Sequence, residues 1–443
     1  MAFRKELGAF DATMLVVGGI IGAGIFINPY LVAQRLSSGG LVIAAWCAGG
    51  AIAAAGALAF AELAALFPRT GGEYEYLARA YHPIVGFLFG WSSLLMIQGG
   101  GLAAVSITFA QYARRLAGAP PGSPVPIAVA ALLVLAAVNI LGVKPGSRLL
   151  NALVILKVGA LALLIGGGLL ASGPPPPAPA ASGPAGAAGL AAFGAALVPI
   201  LFSYGGWQSA NVVSEEIRGS RRTLPVALMA GTAIVVLVYV LVNVVYLRAL
   251  GRPGLAATQT PAADAVARLF GLRAERLLSA AIAISTFGFL DLTLLAPTRI
   301  SYAMARDGIF FAPLARIHPR FGTPAVAIGV QALWAVLLVL TGTYGDLVDG
   351  VVFADWIFFG LTVASLFLFR RRPPADAEPR AFRAPGYPLL PALFVAAAAL
   401  VVWSVLRTNP GRSAIGVALL VAGVPVYLFY ARRRAASAAL EPR

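Results

Sequence analysis

This sequence predicts an all-α integral membrane protein of about twelve transmembrane helices, with helices one and six interrupted. Three observations support that fold class. First, 60% of the 443 residues are hydrophobic and 11% are charged, whereas a soluble chain carries about 25% charge. Second, the apolar residues are grouped into runs close to the roughly twenty residues that cross a bilayer core. Third, glycines cluster inside two of these runs, at Gly18 to Pro29 (GGIIGAGIFINP) and, five runs later, at Ser203-Tyr204-Gly205-Gly206 in LFSYGGW.

In order, the runs are Met14 to Leu36, Val42 to Leu66, Val85 to Ala113, Val125 to Leu141, Leu149 to Leu170, Leu190 to Val213, Val226 to Leu247, Leu277 to Ala303, Ala325 to Leu340, Val351 to Phe369, Leu389 to Leu406 and Ala414 to Tyr430. The fourth and ninth are short for a span. Glycine costs roughly 1 kcal/mol per residue in a helix interior relative to alanine, so Gly18, Gly19, Gly22 and Gly24 suit an interruption better than a plain helix. An unwound stretch at membrane depth survives only where protein, water or a ligand replaces the lost backbone partners. Paired breaks in the two halves of a chain point to a transporter's central site. The bland alternative is that these glycines only let helices pack closely.

Basic residues set the expected orientation. Arg4, Lys5, Arg69, Arg79, Lys144, Arg148, Arg218, Arg221, Arg222, Arg306, Arg316, Arg320, Arg370 to Arg372, Arg380, Arg383, Arg432 to Arg434 and Arg443 fall on one side. Arg35, Arg114, Arg115, Arg248, Arg252, Arg268, Arg273, Arg276, Arg407 and Arg412 fall on the other. The bias of roughly two to one places both termini in the cytoplasm, with Arg114 and Arg115 fitting least well outside. The net charge of +16 then reflects topology and not a nucleic-acid surface. The first apolar run is too long for a cleaved signal core. Cys47, the single cysteine, falls inside the second run, so neither an internal disulfide nor a disulfide-linked partner subunit is expected. Pro174 to Pro184 is a low-complexity outer connector, and Ala435 to Arg443 a brief polar tail. One transmembrane domain, 1–443, accounts for the whole chain.

If runs one and six begin equivalent units, each unit has five helices, an odd number, so the second enters the membrane inverted. The expected units are 10–172 and 190–370, followed by two additional helices in 386–431. Both breaks then meet near the midplane. Free N–H groups at a positive helix end suit a carboxylate, and free carbonyls suit an ammonium. A ligand with both charges on adjacent atoms, an α-amino acid, matches the pair.

GGIIGAGIFINP, FAELAALFPRTGGEYEYL, LFSYGGWQSANVVSEEIRGSRRTLP, STFGFLDLTLLAPTRISYAMARDG, FADWIFFGLTVASLFLFRRRPP and FRAPGYPLLPALFV together resemble the amino acid–polyamine–organocation permeases. The similar branch is that of the L-amino-acid transporters and the bacterial serine/threonine and alanine/serine exchangers, and the similarity runs over nearly the whole chain. It implies a five-plus-five inverted repeat with two further helices, working by alternating access. It implies a substrate carboxylate on the N–H groups of Gly22, Ala23 and Gly24, and an amino group on carbonyls of Ile20 or Ile21, Phe202 and Gly205. Phe202 resembles the family's aromatic gate, with Ser203, Tyr204 and Asn211 close by. Ala23 stands where many relatives carry serine, which removes a hydroxyl and leaves the peptide N–H groups. Tyr204 and Trp207 are also of a kind that simply packs.

Lys157 lies several residues inside a span, where a lysine faces the protein interior and marks a pathway, or else snorkels to the near face. The resemblance implies a place between unwound span one and span eight, where sodium-coupled relatives hold an ion, so a fixed ammonium would replace sodium. Asp291 in run eight and Asp355 in run ten occupy positions where eukaryotic relatives have asparagine. Each is expected to be protonated, paired or facing water. One of them pairs with Lys157 or titrates during transport, or one receives a cationic substrate side chain. The resulting expectation is a sodium-independent exchanger of mainly neutral L-amino acids, with a proton-coupled symporter, a cationic amino acid or polyamine carrier, and a transporter-like sensor as alternatives.

The charged groups at the inner helix ends, Glu62, Arg69, Glu73, Glu215, Glu216 and Arg218, read as interfacial anchors more readily than as an ion-pair gate. Arg299, deeper in run eight, is expected to pair with one of these acids. No catalytic constellation is visible, with His82 and His318 alone beside prolines in loops, and no metal spacing, phosphate loop or cofactor motif occurs. A channel filter suits the two breaks less well than a bound zwitterion.

Overall fold

The computed structural model describes residues 8–67, 72–120, 122–142, 147–171, 189–208, 211, 217–306, 308–373 and 382–440, and every regular element among them is a helix. The first apolar run is two helices, α1 (Ala9–Ile20) and α2 (Gly24–Arg35), bent by 42° at the break. Asp11 begins α1 by accepting the Gly8 N–H at 2.9 Å. Ser38 caps α3 (Gly39–Leu66), accepting from Leu41 N at 3.2 Å.

After the short α4 (Glu73–Ala80), α5 (Pro83–Ser92), a π-helical segment (Ser93–Gln98) and α6 (Gly99–Leu116) form one rod of 34 residues. A π segment frees backbone groups in mid-helix. Trp334 Nε1 donates to the Leu95 carbonyl there at 2.6 Å. Then follow α7 (Val125–Ile140), α8 (Ser147–Leu170), α9 (Leu190–Tyr204), α10 (Ser220–Ala257), α11 (Pro261–Phe270) and α12 (Leu272–Arg306). A single 3-10 turn (Ala312–Ala315) precedes α13 (Ala325–Thr341), α14 (Tyr344–Arg371), α15 (Leu389–Thr408) and α16 (Pro410–Leu440).

Each of the twelve apolar runs coincides with helix, although the sixth is described as helix only to Tyr204. Among the described residues seven helices are long and apolar enough to cross a membrane, or eight when the bent pair counts as one span. α7, α9 and α13 are apolar but only 16, 15 and 17 residues long. At 1.5 Å per residue they reach about 22–26 Å, short of a ~30 Å hydrocarbon core. The amphipathic helices α4 and α11 were not visible as apolar runs. The brief polar tail expected from Ala435 is corrected as well, because α16 continues to Leu440. The connector Pro174 to Pro184 lies outside the described residues.

The rod of α5 and α6 is central, with 78% of its most apolar stretch buried, and α16 is peripheral at 11%. Outward-facing Leu163, Leu237, Leu340 and Phe429 stay exposed, as lipid-facing side chains do. Buried aromatics fill the interior, among them Trp46, Trp207, Trp356, Tyr204 and Tyr239.

The two ends of the bundle carry different ion pairs. At the end expected outside, Arg115 bonds Asp264 at 2.5 Å and Glu275 at 2.9 Å. These two acids compensate a basic residue that fitted poorly there. At the other end Glu62, 1% exposed, receives both Nε and Nη2 of Arg370, at 2.8 and 2.5 Å. Ala384 N adds a third bond to the same carboxylate at 2.8 Å. The reading of Glu62 as an interfacial anchor is therefore corrected: it is a buried bridge from α3 to α14 and the segment before α15.

Candidate functional site

At Ile21 the backbone leaves the helical region, with φ −73° and ψ 77°, and α2 restarts at Gly24. A helix end releases carbonyls behind it, and a helix start leaves N–H groups without intrahelical partners. Two other helices satisfy the released carbonyls. Tyr239 of α10 donates its hydroxyl to Ile20 O at 3.0 Å, and Lys157 of α8 donates Nζ to Ile21 O at 2.5 Å, with Gly18 O 3.5 Å away. Gly22 N turns back to Ile20 O at 2.7 Å, and Ala23 O accepts from Phe26 N at 3.1 Å. In the first turn of α2 the Phe26 N–H is therefore engaged, and the N–H groups of Gly24 and Ile25 are ones that a helix start leaves without an intrahelical partner.

The second break follows Tyr204. Gly205 N bonds Phe202 O at 3.3 Å, and Gly206 takes φ +108°, a conformation that favours glycine. A Cβ at Gly206 would lie 2.3 Å from the Gly19 carbonyl oxygen and 3.2 Å from Ile20 N. The two interruptions thus lie backbone against backbone. The join extends into the next turns, where a Cβ at Gly24 would meet Ser203 Oγ at 2.6 Å. Asn28 of α2 donates to Ser203 Oγ at 2.7 Å and to Pro199 O at 2.8 Å, and accepts from Tyr344 of α14 at 2.9 Å. The Pro199 ring removes a backbone donor from α9.

Phe202 is half-buried beside the break. Tyr204 is fully buried, donates to Trp46 O at 3.2 Å and packs on Trp46 and Tyr239. Trp207 is buried against Phe60 and Phe359. Asn211 is 1% exposed, and neither its amide nitrogen nor its oxygen has a partner among the described residues. Buried amides are normally satisfied, which sets Asn211 apart among the buried polar residues near the second break.

Lys157, 4% exposed, sits between the first break and α12, with Nζ 5.0 Å from the centre of the Phe289 ring. It does not snorkel. Asp291, on α12 two residues beyond Phe289, accepts from Asn139 of α7 at 2.6 Å, and its other oxygen has no partner. Asp355 lies on α14, four residues before Phe359. Its charge is felt by Glu73 at the start of α4, where burial first and Asp355 second hold the carboxyl well above the usual carboxylate range. Arg69, Glu215, Glu216 and the side chain of Arg299 lie outside the described residues.

Tyr239, Asn28 and Phe289 were missed in the sequence, as was Gln208, whose Oε1 accepts from Gly206 N at 3.0 Å. Asn28 could have been found as an asparagine within GIFINP. Tyr239 and Phe289 look like ordinary apolar-run aromatics and gave no signal.

An interrupted helix whose break touches the end of α9, deep in a bundle of apolar helices and beside a buried ammonium, fits a multi-pass membrane protein built to hold a ligand at depth. The chain belongs to the amino acid permease family, whose model matches residues 7–430, within the amino acid–polyamine–organocation superfamily. It is 32% identical over 435 residues to the serine/threonine exchanger SteT of Bacillus subtilis (strain 168), covering 98% of both chains. It is 34% identical over 383 residues to the human b(0,+)-type amino acid transporter 1, covering 83% of this chain and 77% of the relative. It is 32% identical over 437 residues to the human large neutral amino acids transporter small subunit 2, covering 96% and 80%.

Proposed function

We propose that this protein is a sodium-independent exchanger of mainly neutral L-amino acids, working by alternating access in the cell membrane with both termini cytoplasmic. Its frame is a single domain, 1–443, built as inverted repeats 10–172 and 190–370 with two additional helices in 386–431. It acts as a carrier without cofactor, metal or covalent chemistry, and without a disulfide-linked partner. The substrate carboxylate sits on the N–H groups of Ala23 and Gly24, joined by that of Gly22 only if it leaves Ile20 O, and its ammonium on carbonyls around Phe202 and Gly205, with a second lone pair of Ile21 beside Lys157, since Ile20 O already accepts from both Tyr239 and Gly22. Phe202, Ser203 and Tyr204 shape the wall, and Asn211 supplies an adjustable amide.

The observation that supports this most is the meeting of the breaks, with Gly206 against Gly19 and Lys157 on Ile21 O at 2.5 Å. A fixed ammonium on the carbonyl of the break does the electrostatic work of a cation there, which favours independence from sodium. SteT, named an exchanger, supports the exchange mode.

The test uses purified protein in vesicles, with labelled alanine, serine or leucine outside, no sodium, and either unlabelled amino acid or none inside. Uptake only into loaded vesicles is expected. Uptake into empty vesicles driven by an inward proton gradient would overturn exchange in favour of symport. Asp291→Asn and Asp355→Asn report on it, and unchanged pH dependence and selectivity in both would remove these carboxylates from the coupling mechanism.

A further inference from the structure

α8 and α12, which bracket Lys157, are locked together around Leu153, where a Cβ at Gly288 would lie 2.2 Å from Leu153 Cδ1. Toward the C-terminal half of α8 the two helices part. A trough of about 430 Å³ opens there between α8, α11 and α12, lined by Leu156, Gly159, Leu163, Phe270, Ala274 and Leu277 among others. Leu163 is 78% exposed and Leu277 75%, so the trough faces outward from the bundle, where a spanning chain meets hydrocarbon.

The turn of α12 that supplies Ala274 and Leu277 also carries Arg273 and Arg276, both exposed. Among the described residues neither has an ion-pair partner, and the acid between them, Glu275, is engaged with Arg115 at 2.9 Å. Neither arginine lines the trough, but Arg273 is four residues before Leu277 and Arg276 two after Ala274, so an apolar trough with two guanidinium groups on its bordering turn matches an amphiphile with an apolar tail and an anionic head. Arginine near a helix end reaches the headgroup layer and attracts anionic lipid.

We propose that this trough binds one phospholipid, its acyl chain lying between α8 and α12 and its anionic headgroup held by Arg273 and Arg276. The lipid wedges the outer halves of the two helices that hold Lys157 and Phe289 around the first break, and so stabilises their packing.

Lipid retention and melting temperature test this without relying on transport. Delipidated protein is titrated with dioleoyl phosphatidylglycerol or dioleoyl phosphatidylcholine, with bound lipid counted by native mass spectrometry and melting followed in the same detergent. The native chain is expected to retain the anionic lipid preferentially and to melt higher with it. At about 1 kcal/mol per arginine, Arg273→Gln with Arg276→Gln is expected to weaken phosphatidylglycerol binding roughly 30-fold and leave phosphatidylcholine binding little changed. Gly159→Phe enters open space, since a Cβ there meets nothing within 4 Å. It is expected to fill the trough and weaken both lipids while the fold is kept. Arg407→Gln, at the same end of the bundle but away from the trough, serves as the control. Retention unchanged in the double variant or in Gly159→Phe overturns the proposal. So does an equal loss in Arg407→Gln, which would mean diffuse surface charge.

Discussion

Where α1 stops at Ile20, side chains from two distant helices take up the released carbonyls, Tyr239 on Ile20 and Lys157 on Ile21. Where α9 stops at Tyr204, the bonds that follow are local, Gly205 to Phe202 and Gly206 to the Gln208 side chain at 3.0 Å. The indole nitrogen of Trp207 and both amide atoms of Asn211 are then left without partners among the described residues. The carbonyls released at the first break are taken by distant side chains, whereas the second break is tied to α2 and α3 only ahead of it, through Asn28 and Tyr204, and leaves polar atoms unpartnered beyond it. Under the exchanger reading proposed above, the first break would be the fixed reference that carries the charge and the second the segment that trades partners as substrate arrives.

The largest effect is expected where the two breaks touch. Gly206→Ala puts a methyl 2.3 Å from the Gly19 carbonyl oxygen and strains φ +108°, so the backbones must separate. Exchange in vesicles should fall below detection while the protein still reaches the membrane, and near-native uptake would show that the contact is not needed. Lys157→Met comes next. It removes the ammonium from Ile21 O and leaves a buried carbonyl unsatisfied, at a cost of about 1–3 kcal/mol. Uptake should drop by at least about tenfold, and added sodium should not restore it if the side chain does more than fill an ion's place. Recovery with sodium would sharpen the comparison, because the first break would then need only a charge.

Asn211→Leu removes the uncommitted amide at the second break and fills similar space. With no native bond lost, folding should be unaffected, and KM for neutral amino acids should rise several-fold with little change in melting temperature. A stability loss without a KM change would instead make Asn211 a structural residue with unseen partners. Tyr239→Phe is the mildest. Ile20 O keeps its bond from Gly22 N, so deleting the hydroxyl should cost about 1 kcal/mol. Melting temperature is the readout, and a loss of exchange as large as that of Lys157→Met would mean the two carbonyls act as one unit.

Much of this architecture is legible in the chain itself. Bilayer thickness imposes a length and an apolar composition on every span, so twelve runs could be delimited without any knowledge of contacts. Glycine in a helix interior is costly enough that Gly18, Gly19, Gly22 and Gly24 announce a break, and Gly205-Gly206 announces another. α4 and α11 escaped because a helix that lies along the bundle carries only an amphipathic stripe. Glu62 looked like an anchor because its partner, Arg370, is 308 residues away.

The sequence by itself determined that the chain enters lipid, where its apolar runs lie and where glycines interrupt them, and that one lysine stands several residues inside a run. Those properties follow from local costs: hydration of charge, backbone entropy and the satisfaction of hydrogen bonds within a segment. Only the tertiary structure decided that Lys157 binds Ile21 O and not a carboxylate, that Asp291 goes to Asn139, and that Gly206 rests on Gly19. Partner choice depends on which side chains arrive within about 3 Å of one another, and helix packing across more than a hundred residues of intervening chain settles that distance.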